Sequence, residues 1–354
     1  MKIFLVAVVL FAAIFGINNI ASNKEANSNL GKVSETINSV LTKPSPPPAA
    51  NSKTLTGGVH MFQTYNNCGP ASLSMTLSYF GINVSQKDLG DQLRPYQIPG
   101  GDNDDKSVTL QELAKKSEEY GFVTFHRPNG NMDLIKYFIS QEIPVITRTW
   151  TKDGEDIGHF RVVKGYDDVR KVIIQDDSLQ GKNLEYSYDS FGRLWKAFGY
   201  EYLVIVPREK IDIARLILGE NLDKETAWKN MLESTEKVIR ENPSDVYANF
   251  NKLVALYNLG NYEESVKVYE SIENQLPSRM LWYQIEPILA YQKVKTYNKV
   301  FEITDTLINN GNRAFSEIYQ IRGEVYLTQN NNELADIEFT KVALYNKYFY
   351  KYWE

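Results

Sequence analysis

The chain has 354 residues, 43% of them hydrophobic and 23% charged, with a formal net charge of -5. That length holds two or three ordinary domains, and the balance excludes a disordered or multi-span membrane protein. No run of lysines and arginines forms a patch of the kind that tracks phosphates, so nucleic acid is not an expected partner.

The first residues, MKIFLVAVVLFAAIFGINNIASNK, place a lysine before an apolar run from Ile3 to about Ile17, followed by small polar residues. Residues 1–22 therefore read as an export signal. The run approaches the roughly 20 residues that cross a bilayer, which leaves both a cleaved signal and a retained N-terminal membrane anchor open. Either places the bulk of the protein outside the cytoplasm, extracellular or in the cell envelope. Residues 23–53 are polar, and the cluster Pro44 to Pro48 favours extended polyproline geometry, so this segment reads as a linker. A short amphipathic helix is expected within it from Val33 to Leu41.

Residues 54–210 read as helices first and strands later. Helices are expected at Gly69 to Phe80, Ser107 to Tyr120 and Met132 to Gln141; strands at Pro144 to Trp150, His159 to Tyr166, Lys171 to Gln175 and Tyr200 to Val206. This is an α+β pattern with an antiparallel sheet. Asp153, Gly154, Asp167 and Asp168 supply turns between the strands.

Residues 211–354 form an all-α region. Tyr262, Tyr297 and Asn332 stand 35 residues apart, and NLGNYEESVKVYESI, QKVKTYNKVFEITDTL and TQNNNELADIEFTKVA, which contain them, are successive versions of one turn-plus-second-helix unit. The unit resembles the tetratricopeptide repeat, with Gly260 in a turn and Tyr269, Thr304 and Phe339 at its large-residue position. Three such units are the minimum that buries its own faces, and the resemblance implies a concave surface for a protein or peptide partner.

Cys68 is the only cysteine, so it forms no internal disulfide. A lone cysteine is ordinarily a small buried hydrophobe. Its neighbours here, NNCGPASLSMTLSYFG, argue otherwise: Asn66 and Asn67 are cap-type residues, Pro70 suits a first helical turn, and Gly81 is a stop signal. Cys68 would then lie at the positive end of a helix, which favours the thiolate. Gln63, on the incoming loop, is placed to donate its amide to an oxyanion. Of the three histidines, only His159 opens a strand, and the strand after it ends in Asp176 and Asp177. A hairpin would carry one of these beside His159 to orient the ring.

Together QTYNNCGPASLSMTLSYFG, GHFRVVKGYD and VIIQDD resemble family thirty-nine of the cysteine peptidases, the papain-like bacteriocin-leader peptidases and their free-standing relatives. The resemblance covers roughly residues 55 to 207. It implies a papain-like α+β fold and catalytic roles for Gln63 (oxyanion), Cys68 (nucleophile), His159 (base) and Asp176 (orienter), the choice of Asp176 over Asp177 resting on register alone. The glutamine stands five residues before the cysteine rather than the family's usual six. No P-loop accompanies the domain, so cleavage coupled to export is not implied.

The expected function is thus an exported thiol-dependent peptidase with a helical-repeat module for protein or peptide binding, needing no cofactor. A non-catalytic peptide- or cell-wall-binding scaffold, or an acyl transferase or amidase, is the alternative. His60 and His126 read as polar surface residues, and the histidine spacing suggests no zinc site. The acidic run from Gly100 to Lys106 reads as a solvated loop near the cleft. Trp150 and Trp195 read as core or cleft wall. The tyrosines at 345, 348, 350 and 352 read as packing for the last repeat.

Overall fold

Seven antiparallel strands make one sheet in the computed structural model, in the order β2-β7-β3-β4-β5-β6 with β1 added beside the end of β4. The structure describes residues 46–353 apart from 48, 99–100 and 105–107. The export segment, the linker helix expected at Val33 to Leu41 and part of the acidic run lie outside the described residues. Among the described residues, no helix is long and apolar enough to cross a membrane.

The strands are β1 (Ser52–Thr54), β2 (Val123–Arg127), β3 (Val145–Trp150), β4 (Gly158–Asp167), β5 (Val172–Asp177), β6 (Gly181–Ser187) and β7 (Tyr202–Val206). The helices that cover them are α1 (Cys68–Ser78), α2 (Gln86–Leu93), α3 (Leu110–Glu118), α4 (Met132–Ser140), α5 (Tyr188–Lys196) and α6 (Ile211–Leu218). Strands β3 and β7 are buried at every position, which matches their near-continuous apolar sequences. Alternation then divides the side chains. Ile146, Leu203 and Ile205 pack with Leu73 and Leu77 of α1 and Leu110 and Leu113 of α3. Their neighbours Val145, Tyr202, Val204 and Val206 pack with Phe138 of α4, Trp195 of α5 and Leu218 of α6.

Helices and strands are less segregated than the sequence suggests. Strand β1 lies at the end of the segment read as linker and pairs Ser52 with Asp167. Strand β2 precedes α4 and pairs with β7, the last strand in sequence. The short elements α2 and β6 carry too few apolar residues to announce themselves.

The remaining helices are α7 (Lys224–Glu241), α8 (Val246–Asn258), α9 (Tyr262–Ile272), α10 (Met280–Tyr283), α11 (Glu286–Lys293), α12 (Tyr297–Asn309), α13 (Ser316–Thr328), α14 (Asn332–Tyr345) and α15 (Phe349–Tyr352). The three positions spaced by 35 are the first residues of α9, α12 and α14. The turns before them hold Gly260, Lys295 and Asn330 in the left-handed region, at φ of 80°, 62° and 59°, again 35 apart. One helix–turn–helix conformation is therefore used three times, with glycine filling the strained position once.

The helical region shares a core with the sheet region. Trp150 of β3 packs edge-on against Phe198 and Tyr283, and its Nε1 donates to the Tyr247 hydroxyl at 2.9 Å. The C-terminal tyrosines do more than close the last repeat: Tyr352 joins the core around α1 and α3, and its hydroxyl donates to Glu119 at 2.8 Å.

Candidate active site

Cys68 is the first residue of α1, and every residue from Cys68 to Leu77 is buried. Asn67 occupies the cap position, yet its side chain does not cap the helix; its Nδ2 donates back to Thr64 Oγ1 at 2.8 Å. Gly69 is required by close packing, since a Cβ there would lie 2.3 Å from a methyl of Val108. The sulfur is thus held at a helix N-terminus, where the backbone dipole favours negative charge.

His159 is the second residue of β4 and is 3% exposed. Its Nε2 lies 2.9 Å from Asp177 Oδ1, and the ring is also hydrogen-bonded to the Cys68 side chain. With Nε2 occupied by the carboxylate, Nδ1 is the nitrogen that serves the sulfur. Burial alone lowers the imidazole, but the hydrogen bonds and charges of Asp177 and Cys68 outweigh it and raise His159 to about 9. Burial acts to raise Asp177, yet His159, Arg161 and the Gln180 N–H bring it down to about 2. These shifts favour an imidazolium at His159, held between the Cys68 side chain and the Asp177 carboxylate.

The structure brings Asp177, not Asp176, to His159, which corrects the register chosen from sequence. Strand β5 pairs Arg161 with Asp177 and Val162 with Asp176. His159 and Arg161 share a face of β4, so their face receives Asp177, while Asp176 points to the other. There Asp176 meets Lys164 Nζ at 2.6 Å, and its Oδ1 accepts the Asn183 N–H at 2.9 Å.

Asp177 is clamped from several sides. Its Oδ2 accepts from Arg161 Nη1 at 2.6 Å, while Oδ1 also takes the backbone N–H groups of Leu179 and Gln180. Each remaining nitrogen of Arg161 also has a partner, Nε donating to Thr149 Oγ1 and Nη2 to the Thr151 carbonyl. The residue after Asp177 then holds the predicted oxyanion donor: Ser178 Oγ donates to Gln63 Oε1 at 2.8 Å, and the Gln63 N–H donates to the Ser178 carbonyl at 2.8 Å. With its oxygen engaged, the Gln63 amide has its Nε2 hydrogens to offer elsewhere.

Four further residues escaped the sequence reading. Arg161 and Ser178 carried a weak signal, being polar residues inside or ending apolar strands. Gly158 and Tyr283 carried none, because they meet across 125 positions. The Gly158 N–H donates to the Tyr283 hydroxyl, and a Cβ on Gly158 would lie 2.8 Å from that ring. Tyr283 also stands near enough to Cys68 to feel its charge. The helical region therefore covers the residue next to His159.

The other histidines are not free surface groups. His60 Nε2 lies 3.0 Å from the Asp177 carbonyl oxygen, and His126 Nε2 lies 2.5 Å from Glu201. Among the described residues, no cluster of histidine, cysteine, aspartate and glutamate has the size to hold a metal ion.

Residues 55–203, fewer than half of the chain, match the Peptidase_C39 like family. No curated protein matches the chain. Two solved structures are similar to part of it. One, described as a C39-like peptidase from Bacillus anthracis, is 17% identical, spans 44% of this chain and 98% of its own, and has a TM-score of 0.37. The other is the peptidase domain of Streptococcus ComA, a bi-functional ABC transporter involved in a quorum-sensing pathway; it is 21% identical, spans 43% of this chain and 100% of its own, with a TM-score of 0.34. The segment that carries Cys68, His159 and Asp177 is thus similar, by the family match alone, to the Peptidase_C39 like family, and in this chain that α+β region is followed by a helical one.

Proposed function

We propose that this protein is an exported cysteine peptidase, held at the cell envelope or released outside it by its N-terminal segment, with a tetratricopeptide-like module that receives a protein or peptide. The buried chain from Cys68 through His159 to Asp177 carries the reading. Cys68 Sγ attacks the carbonyl carbon of a peptide bond, and the carbonyl electrons move to oxygen. Gln63 Nε2 and the Cys68 backbone N–H donate to that oxyanion. The imidazolium of His159 gives its proton to the departing amine, leaving an acyl-cysteine. His159, now neutral, takes a proton from water as the water attacks the acyl group; the carbon–sulfur bond then breaks with its electron pair on sulfur, which releases the carboxylic acid and restores the thiolate and imidazolium.

The experiment is a peptide-library digest by residues 46–354, compared with Cys68→Ala and His159→Ala variants by mass spectrometry. Cleavage by the parent alone supports the peptidase. Products carrying an added competing amine identify acyl transfer on the same residues. The non-catalytic scaffold has an observation in its favour too: Cys68 is only 5% exposed and Tyr283 lies over Gly158. Binding of library peptides without cleavage by any variant would select it.

A further inference from the structure

A cavity of about 400 Å³ lies between the sheet and the helical region, and Cys68 does not line it. Its walls combine the aromatic rings of Trp228, Tyr257 and Tyr352 with charges of both signs, Glu201 and Glu286 against Arg148 and Lys224. Gln284, which is 8% exposed, also lines it.

The polar atoms inside it are unbalanced. Gln284 Oε1, Glu286 Oε2 and Glu201 Oε2 are buried acceptors with no hydrogen-bond partner, against one such donor, Arg148 Nη2. Arg148 is already matched in charge, standing 4.0 Å from Glu201 Oε2 and lying over the rings of Phe198 and Tyr283. His126 takes the other oxygen of Glu201. Among the described residues Glu286 makes no ion pair of its own, and the charge that favours its carboxylate, Arg148, is shared with Glu201. Burial raises its carboxyl to about 7 and the charge of Glu201 adds to the rise, while its own backbone N–H and the charge of Arg148 pull the other way.

Buried acceptors without donors are costly, and a buried carboxylate without a partner is more so. A ligand that supplies several N–H groups and one positive charge relieves both deficits. Aromatic walls suit the same ligand, because ring faces attract an organic cation. A bare metal ion would want a denser set of ligand oxygens than these walls offer.

We propose that this cavity is a binding site for a primary ammonium group on a flexible stem, as in a lysine side chain, with Glu286 as its counter-charge and Gln284 and Glu201 as further acceptors. The pocket lies outside the Cys68 site and its occupancy is measured without turnover, so it stands or falls apart from the peptidase reading.

The test uses residues 46–354 carrying Cys68→Ala, titrated with Nα-acetyl-lysine methylamide and followed by the fluorescence of Trp228 and Trp353 and by calorimetry. Saturable binding is expected, weakened about tenfold or more when the side-chain amine is acetylated and by a similar factor in Glu286→Gln. Glycine methylamide, which carries a free α-amine, forms the second arm; tighter binding of it would keep the ammonium chemistry and assign the source to a chain terminus. Equal affinity for the charged and acetylated probes, an unchanged affinity in Glu286→Gln, or no saturable binding of either amine overturns the proposal. The probe comparison is made on unmodified Glu286, so it decides the matter even where the variant is poorly folded.

Discussion

Arg161 Nη1 donates to Asp177 Oδ2 at 2.6 Å, and neither side chain is exposed to solvent. The pair locks the carboxylate that in turn fixes His159, so one buried arginine supports the geometry of the whole site. Removing it leaves the Asp177 Oδ2 atom buried without its guanidinium, with His159 and two backbone N–H groups serving Oδ1 alone. Arg161→Met should cost about 3–5 kcal/mol of stability, read from urea unfolding. Adding Asp177→Asn should return part of that loss, since the carboxylate oxygen left without its guanidinium loses its charge. A loss below about 1 kcal/mol would mean that the pair does not hold the site.

Asp177 and Asp176 should behave differently although they are adjacent. Asp177→Asn presents an amide to Nε2 and disturbs the tautomer and charge of His159, so kcat is expected to fall by about a hundredfold or more. Asp176→Asn should leave kcat within a few-fold of the parent, its effect confined to the contacts with Lys164, Asn183 and Tyr79. Kinetics on one cleavable peptide from the library separate the two. Equal losses would contradict the assignment.

Ser178 should act through Gln63. Without its hydroxyl, the Gln63 amide loses the bond that fixes its oxygen. Ser178→Ala is expected to lower kcat about tenfold with little change in KM, and Gln63→Ala to lower it by about a hundredfold. The double variant should be no worse than Gln63→Ala alone. Additive losses would show that Ser178 does something else.

The paired charges also set a pH window for stability. Asp177 is lowered from 3.8 to about 2, so its contribution is present above 3.8 and is lost as pH falls toward 2. His159 is raised from 6.5 to about 9, so its contribution is complete below 6.5 and is lost as pH rises through about 9. Urea midpoints across pH 3 to 10 should therefore decline on both sides of a plateau, and His159→Gln should flatten the alkaline decline. An alkaline limb identical in both proteins would contradict the raised histidine.

Cys68 and His159 could be read from sequence because their signals are local: a cap-like run before an apolar helix, and a Gly-His opening an apolar strand. The aspartate could not, because successive strand residues face opposite sides and only the pairing register decides between them. His159 and Arg161 are two residues apart and so share a face, a clue that a charged residue inside HFRVVKG offered. The 35-residue spacing marked the repeated turn-and-helix units, and the second helix of each begins at the spaced residue. The cover of Tyr283 on Gly158 and the cavity around Glu286 arise from docking between distant segments, for which one sequence carries no local pattern.

The most direct test of the central claim is the pH profile of Cys68 alkylation by iodoacetamide, followed by mass spectrometry in the parent and in His159→Ala. The account predicts that the parent labels well below pH 8.5, the point at which an ordinary thiol ionises, and that the variant's profile moves back toward that value. Coincident ordinary-thiol profiles in the two proteins would show that the imidazole does not ionise the sulfur, and the peptidase reading would fall.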